Sequence, residues 1–88
     1  MLSDKDVRGF EPPATGNAIH YDGGGGVPGF GLRITANDVR AFVLSYRSKG
    51  IARRYTIGRY PVWSVAAARK RAAVLRRAVD TGEDPVQD

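Results

Sequence analysis

Cysteine is absent from the 88-residue sequence, and histidine occurs once, as His20. Disulfides and thiolate metal sites are therefore excluded, and His20 has no partner ligands at metal-binding spacing. A Ser-His-acid catalytic set cannot be assembled from so short a chain. No apolar run approaches the roughly 20 residues that a membrane-spanning helix needs. We therefore expect a small domain with no metal, cofactor or small-molecule ligand and no membrane partner.

Acidic residues are scarce in the central part of the chain. Residues 31–77 contain 12 lysines and arginines and one acid, Asp38, whereas the flanks contain two basic residues and eight acids. A positively charged surface patch attracts polyanions, so nucleic acid is the leading partner. An anionic membrane is the weaker alternative, because the basic helix lacks bulky apolar residues on a lipid-facing side.

The apolar pattern predicts an α+β fold with a three-stranded antiparallel sheet. Residues 31–35, 41–47 and 51–57 alternate apolar and polar side chains, as half-buried strands do. Lys49-Gly50 suits a two-residue hairpin turn. This turn predicts two sets of cross-strand pairs, one on each face of the sheet: Tyr46–Arg53, Leu44–Tyr55 and Phe42–Ile57 on the aromatic face, and Ser45–Arg54 and Arg47–Ala52 on the other.

A C-terminal helix over residues 65–81 is predicted to cover the aromatic face. Ser64 is a good N-cap, and Gly82 suits the position after the last turn. Its apolar stripe consists of Val65, Ala68, Ala72, Leu75 and Val79, at three- and four-residue steps. A short helix over residues 2–10 and a weak strand near residues 18–21 form a predicted N-terminal appendage.

Glycines are concentrated in residues 23–30, ahead of the first predicted strand of the sheet. A phosphate-binding P-loop would need Gly-Lys-Ser/Thr opening a helix, and here a strand follows. This segment is therefore interpreted as a turning or mobile loop.

The order strand, Gly-x-Tyr-Pro, Ser N-cap and Ala-Ala-Arg within residues 53–71 resembles the N-terminal arm-binding domain of phage-type integrases, which are tyrosine recombinases. The opening Leu-Ser-Asp-Lys and the closing Gly-Glu-Asp-Pro extend the resemblance over nearly the whole chain. The resemblance implies a domain that binds double-stranded DNA, with its sheet in the major groove of arm-type sites. Recombination chemistry would belong to a separate C-terminal domain, so this chain is expected to be a binding domain and not an enzyme.

The resemblance also implies an organisation and a setting. Residues 1–82 are expected to form the DNA-binding domain, and residues 83–88 to begin a linker to a core-binding and catalytic region. Other integrase protomers and host DNA-bending proteins are the implied protein partners. The implied location is the bacterial cytoplasm, in association with the nucleoid.

Candidate DNA-contacting residues fall into two sets. The base-facing set on the predicted sheet comprises Arg33, Ser45, Arg47, Arg54 and Thr56, because Arg can fork onto guanine and small polar side chains allow close approach. The phosphate set would position the protein on the duplex without reading its sequence. It comprises Arg40, Lys49, Arg59, Arg69 and Lys70. The competing interpretation is a solvated face whose arginines merely keep the protein soluble.

Two other functions fit the sequence. The helix–strands–helix order also suits a double-stranded RNA-binding module, whose RNA contacts come largely from helices and loops. A basic protein-interaction module would instead use its charge for steering and bind DNA weakly, without regard to sequence.

Overall fold

The computed structural model describes residues 1–85, and its elements run in the order helix, four strands, helix. Their bounds are α1 Asp4–Gly9, β1 Asn17–Tyr21, β2 Phe30–Thr35, β3 Arg40–Ser48, β4 Ile51–Arg59 and α2 Val65–Asp80. The strands form one antiparallel sheet in the order β1-β2-β3-β4. The predicted α+β class, with a sheet packed against a C-terminal helix, is confirmed.

The sheet has four strands, so the prediction of three was wrong. The additional strand is β1, which pairs with β2 from Asn17 opposite Thr35 to Tyr21 opposite Gly31. Its five residues include no fully buried side chain. Because few side chains of an edge strand are buried, apolar alternation gives only a weak signal here. The strand is identified by its backbone pairing with β2.

The hairpin between β3 and β4 forms at the predicted turn. Lys49 and Gly50 have φ values of 52° and 79°, as the favoured two-residue hairpin turns require. Four of the five predicted cross-strand pairs are confirmed: Tyr46–Arg53, Leu44–Tyr55, Ser45–Arg54 and Arg47–Ala52.

The fifth predicted pair, Phe42 with Ile57, was wrong. Phe42 lies opposite Gly58, and Val43 lies opposite Thr56, so Ile57 is an extra residue in β4. Such a bulge shifts the register by one residue and exchanges the faces for everything beyond it.

The core lies between α2 and one face of the sheet. Its buried members on the strands are Phe30, Leu32, Phe42, Leu44 and Tyr46, and those on α2 are Val65, Ala68, Ala72 and Leu75. Val79, the last residue of the predicted stripe, packs against this cluster while partly exposed. Because two of the buried α2 positions are alanines, the helix axis can lie close to the sheet.

Trp63 closes the corner between β4 and α2. A Cβ added at Gly58 would lie 2.2 Å from the Trp63 ring, so the indole occupies the space above this glycine. Ser64 then caps α2 by accepting a hydrogen bond from the Ala67 amide at 3.1 Å. At the other end of the chain, Ser3 and Asp6 form a capping box that begins α1.

The boundary at Gly82 and the linker over residues 83–88 stay predictions. The Glu83 amide donates to the Ala78 carbonyl at 3.0 Å, and the Asp84 side chain is 9% exposed. These first residues of the predicted linker thus pack against the domain. Residues 86–88 lie outside the described part of the chain.

Candidate nucleic-acid interface

One face of the sheet is left uncovered by α2, and we call it the open face. Successive residues of a strand point to opposite faces of the sheet. The open face therefore carries the strand residues that alternate with the core-facing ones. Its members on the four strands are Asn17, Ile19, Tyr21, Gly31, Arg33, Thr35, Ala41, Val43, Ser45, Arg47, Ala52, Arg54, Thr56 and Arg59. Polar, cationic and small side chains dominate this set.

All five residues of the predicted base-facing set lie on the open face. Arg47, Arg54 and Thr56 are exposed, and Arg33 and Ser45 are half-buried. Adjacent strands lie about 4.8 Å apart, so one continuous surface carries these side chains. That they contact DNA stays a prediction, but the fold brings them together as the sequence indicated.

The arginines of the open face form no ion pair with an acid within residues 1–85. Arg47 donates from Nη1 to the Gly50 carbonyl at 3.1 Å, which leaves its charge uncompensated. The Nε of Arg33 is enclosed and has no hydrogen-bond acceptor among the described residues. Arg54 and Arg59 are exposed at strand positions. The open face is thus a positive surface that no acid of residues 1–85 neutralises, which favours an anionic partner.

Arg40 lies away from this surface. It is the first residue of β3 and pairs with Ile34, so it shares the α2-facing side of the sheet. Its guanidinium forms a salt bridge with Asp38 at 2.9 Å and donates to the Val7 carbonyl. The predicted phosphate contact by Arg40 is untested, and these bonds show that the side chain already ties α1 to the sheet.

Arg69 is occupied by the buried carboxylate of Asp22. Its Nε and Nη2 donate to the two carboxylate oxygens, each at 2.9 Å, and Nη2 also donates to the Leu2 carbonyl at 2.6 Å. Asp22 further accepts from the amides of Leu2 and Val27 at 2.7 and 3.3 Å. This cluster, which we call the Asp22 latch, joins the N-terminal segment, the glycine-rich loop and α2.

The latch holds Asp22 in its charged form. Burial on its own would raise the pKa of Asp22, but the hydrogen bonds from Arg69 and Leu2 and the charge of Arg69 outweigh it, so the pKa is lowered. The hydrogen bond with Asp22 correspondingly raises the pKa of Arg69. The predicted phosphate role of Arg69 is untested, and in the free domain its donors serve the fold.

Arg53 is also engaged on the covered side. Its stem lies on the core face beside Tyr46, as the register predicts, and its Nε is 2.8 Å from a carboxylate oxygen of Asp84. Tyr46 donates its hydroxyl hydrogen bond to the same carboxylate. The segment after α2 is therefore fastened to the sheet by a shared acid.

The remaining members of the predicted phosphate set are dispersed. Lys49 is exposed at the hairpin tip, and Arg59 is exposed at the far end of β4. Lys70 is exposed on the outer side of α2, opposite the buried stripe that faces the sheet. Arg59 thus lies on the open face and Lys49 adjoins it, whereas Lys70 lies across the domain from it.

Sequence reasoning missed three residues that shape this site. Tyr21 is 53% exposed on the open face, and its hydroxyl lies 3.5 Å from the Ser45 Oγ. Asp22 and Asp84 neutralise arginines 47 and 31 residues away in sequence. Alternation in β1 is too weak to reveal the position of Tyr21 on the open face, and no local pattern links an acid to so distant a partner.

These features define a small α+β binding domain with one basic sheet face that has no acidic partner among residues 1–85. Within residues 1–85 no three metal-ligating side chains are grouped, and no helix there is long and apolar enough to cross a membrane. The sequence model of the family described as "Arm DNA-binding domain" matches residues 2–88. The chain therefore belongs to that family, the arm-type, non-catalytic DNA-binding domain of phage integrases. No curated protein matches the sequence.

Proposed function

We propose that this domain recognises specific double-stranded DNA by placing the open face in the major groove of arm-type sites. The observation that carries the proposal is the set of arginines on a paired sheet with no acid to neutralise them within the described residues. Family membership supplies DNA as the partner. The strand geometry supplies a surface that suits a groove about 12 Å wide.

Arg47 and Arg54 are the main base-reading residues of the proposed surface, near the tip of the β3–β4 hairpin. Because Arg47 pairs with Ala52 and Arg54 with Ser45, the two arginines are diagonal neighbours on one face, with side chains about 7–8 Å apart at their bases. Each guanidinium can donate two parallel hydrogen bonds to guanine O6 and N7. Ala52 and Ser45 are small, so the strands can approach the base edges closely.

Lys49 is proposed to fix the position of the hairpin rather than to read sequence. It lies at the tip of the β3–β4 hairpin, where a groove-bound sheet would meet a phosphate strand. Arg40, Arg69 and Lys70 are left outside this surface, the first two because their donors bind Asp38 and Asp22. Lys70 is left out because it lies on the outer side of α2.

The larger role we propose is that of an anchor for a tyrosine recombinase of a phage, prophage or genomic island. The domain would hold the enzyme on arm-type repeats while a separate region performs the strand exchange. Other protomers and host DNA-bending proteins would then assemble on the same DNA. The bacterial nucleoid is the corresponding location.

The first test is selection of duplexes from a randomised DNA pool by the purified domain, followed by fluorescence anisotropy on the enriched sequence. A sequence-specific domain binds the enriched duplex more than about tenfold tighter than a scrambled duplex. Preference for an RNA duplex would select the RNA-binding alternative. Weak binding of equal strength to all duplexes would instead favour the protein-interaction alternative.

A further inference from the structure

We infer that Arg33 and Arg59 act as one pair that grips a single acceptor group of the DNA above Ala41. This inference rests on the proposed binding of DNA by the open face. Arg59, which the sequence predicted to contact a phosphate at the edge of the sheet, would instead form a second contact point of the reading surface together with Arg33.

The bulge in β4 is what puts Arg59 on the open face. In the unbroken hairpin register, Arg59 would lie opposite Arg40, on the side covered by α2. The extra residue Ile57 shifts the pairing, so Arg59 lies opposite Ala41. Since a one-residue shift exchanges the two faces of a strand, the bulge turns Arg59 toward the same side as Arg33.

Arg33, Ala41 and Arg59 form one row across three strands. Arg33 pairs with Ala41 from β2, and Ala41 pairs with Arg59 from β4. The two arginine backbones are therefore two strand spacings apart, roughly 10 Å. Ala41 projects a single methyl group between them and is 8% exposed, so the long side chains can converge above it.

The electrostatics of the row favour an acceptor between the two guanidinium groups. Neither Arg33 nor Arg59 has an acidic partner in the described part of the chain. Two cations that converge without an anion repel each other. A group with two acceptor atoms relieves that repulsion and bonds both donors, as a guanine edge or a phosphate does.

This contact point is separate from the one at Arg47 and Arg54. Arg54 and Arg59 are five residues apart along β4, or roughly 16 Å at the rise of a strand. That span corresponds to about five base pairs of duplex. The open face would thus touch the DNA at two points, one near the hairpin tip and one at the bulged end.

The test is a double-mutant cycle on the enriched duplex, measured by anisotropy. We expect Arg33→Ala and Arg59→Ala each to weaken binding about tenfold. Because both donors serve one acceptor group, the double variant should fall well short of the hundredfold loss that independent contacts would give. Arg71→Ala, which removes an exposed arginine of α2, is the matched control. A full hundredfold loss, or no loss at either position, overturns the pair.

A second variant separates convergence from charge. Ala41→Leu keeps both arginines but fills the gap between them, and we expect about the same loss as for either arginine variant. Ala41→Ser has nearly the size of alanine and should bind like the wild type. Circular dichroism melting verifies that both variants are folded. Wild-type affinity for a folded Ala41→Leu variant contradicts the inference.

Modified duplexes identify the acceptor. Replacing single guanines by 7-deazaguanine removes N7, and replacing single phosphates by methylphosphonate removes the anionic oxygen. One such change should weaken wild-type binding but leave Arg33→Ala and Arg59→Ala unaffected. If none does, the inference fails. Arg47→Ala is measured in the same assay. If it weakens binding, DNA recognition by the open face is supported even when the Arg33–Arg59 inference fails.

Discussion

The arginines of this domain divide into two regions with opposite surroundings. On the covered side, Arg53 and Arg69 bind Asp84 and Asp22, and each of these acids also binds a second group in the fold. On the open face the arginines have no acid, within residues 1–85, to bind them. The comparison teaches that residue type and net charge do not distinguish arginines that stabilise the fold from arginines that are left available for a ligand, whereas their partners do.

The two regions should respond differently to the same kind of substitution. Removing one member of a buried pair leaves the other charge without compensation, so the loss falls on stability. Removing an unpaired surface arginine costs the fold little, so the loss falls on DNA binding. The following variants test this division.

The largest effect is expected from Asp22→Asn. It removes the charge that Arg69 and the Leu2 amide bind, and we expect the free energy of unfolding to fall by about 3 kcal/mol. Urea denaturation followed by circular dichroism measures the change. Asp38→Asn, at an acid that is 61% exposed, is the matched control and should cost less than about 1 kcal/mol. Equal losses for the two variants would contradict the role given to the latch.

Acid should weaken the latch in the wild type. Because the pKa of folded Asp22 is lowered from its ordinary value of 3.8, the stability conferred by its charge is present above that value. It is lost as the pH falls through the lower, folded-state pKa. The free energy of unfolding should therefore decline more steeply below about pH 4 in the wild type than in Asp22→Asn. Parallel pH profiles would show that the latch does not contribute.

On the open face, Arg54→Ala should weaken DNA binding and leave the stability of the fold nearly unchanged. We expect affinity for the enriched duplex to fall about tenfold, because a guanidinium fork is lost. The free energy of unfolding should stay within about 0.5 kcal/mol of the wild type. Arg47→Ala should behave likewise. Unchanged affinity for both variants would sink the open-face proposal.

The same variants should change the response to salt. Each lost contact with a phosphate lowers the slope of log affinity against log salt concentration by about one. A base-reading arginine leaves the slope nearly unchanged while weakening binding. Titrations at several salt concentrations therefore separate Lys49→Ala, expected to lower the slope, from Arg54→Ala, expected not to.

The smallest effect is expected at Lys70. Its charge pattern on the helix predicts a phosphate contact, but it lies on the outer side of α2. Lys70→Ala should therefore lower affinity by less than about twofold, through the long-range field alone. A loss as large as that of Arg54→Ala would indicate that DNA binds on the α2 side and would contradict binding by the open face.

Much of this architecture could be predicted because its signals are local. The hairpin at Lys49-Gly50, the N-cap at Ser64 and the apolar stripe of α2 each follow from a few neighbouring residues. The bulge at Ile57 could not, since apolar alternation fits the regular register equally well. The regular register would put Arg59 on the covered side of the sheet, so its position on the open face could not be predicted.

The division between the two regions was the least predictable part. Arg69 and Lys70 are adjacent in sequence and both basic, yet one lies in the latch and the other faces outward. The difference comes from Asp22, which tertiary packing brings to Arg69 across 47 residues. Weak alternation in β1 likewise concealed Tyr21, because an edge strand buries little apolar surface.

The most direct test of the central claim is NMR of the arginine Nε–H signals as the enriched duplex is added. We predict that the signals of Arg33, Arg47, Arg54 and Arg59 shift and saturate together, while those of Arg53 and Arg69 stay in place. An unrelated duplex should produce smaller shifts at the same four residues. Shifts confined to arginines of α2, equal for both duplexes, would contradict recognition by the open face.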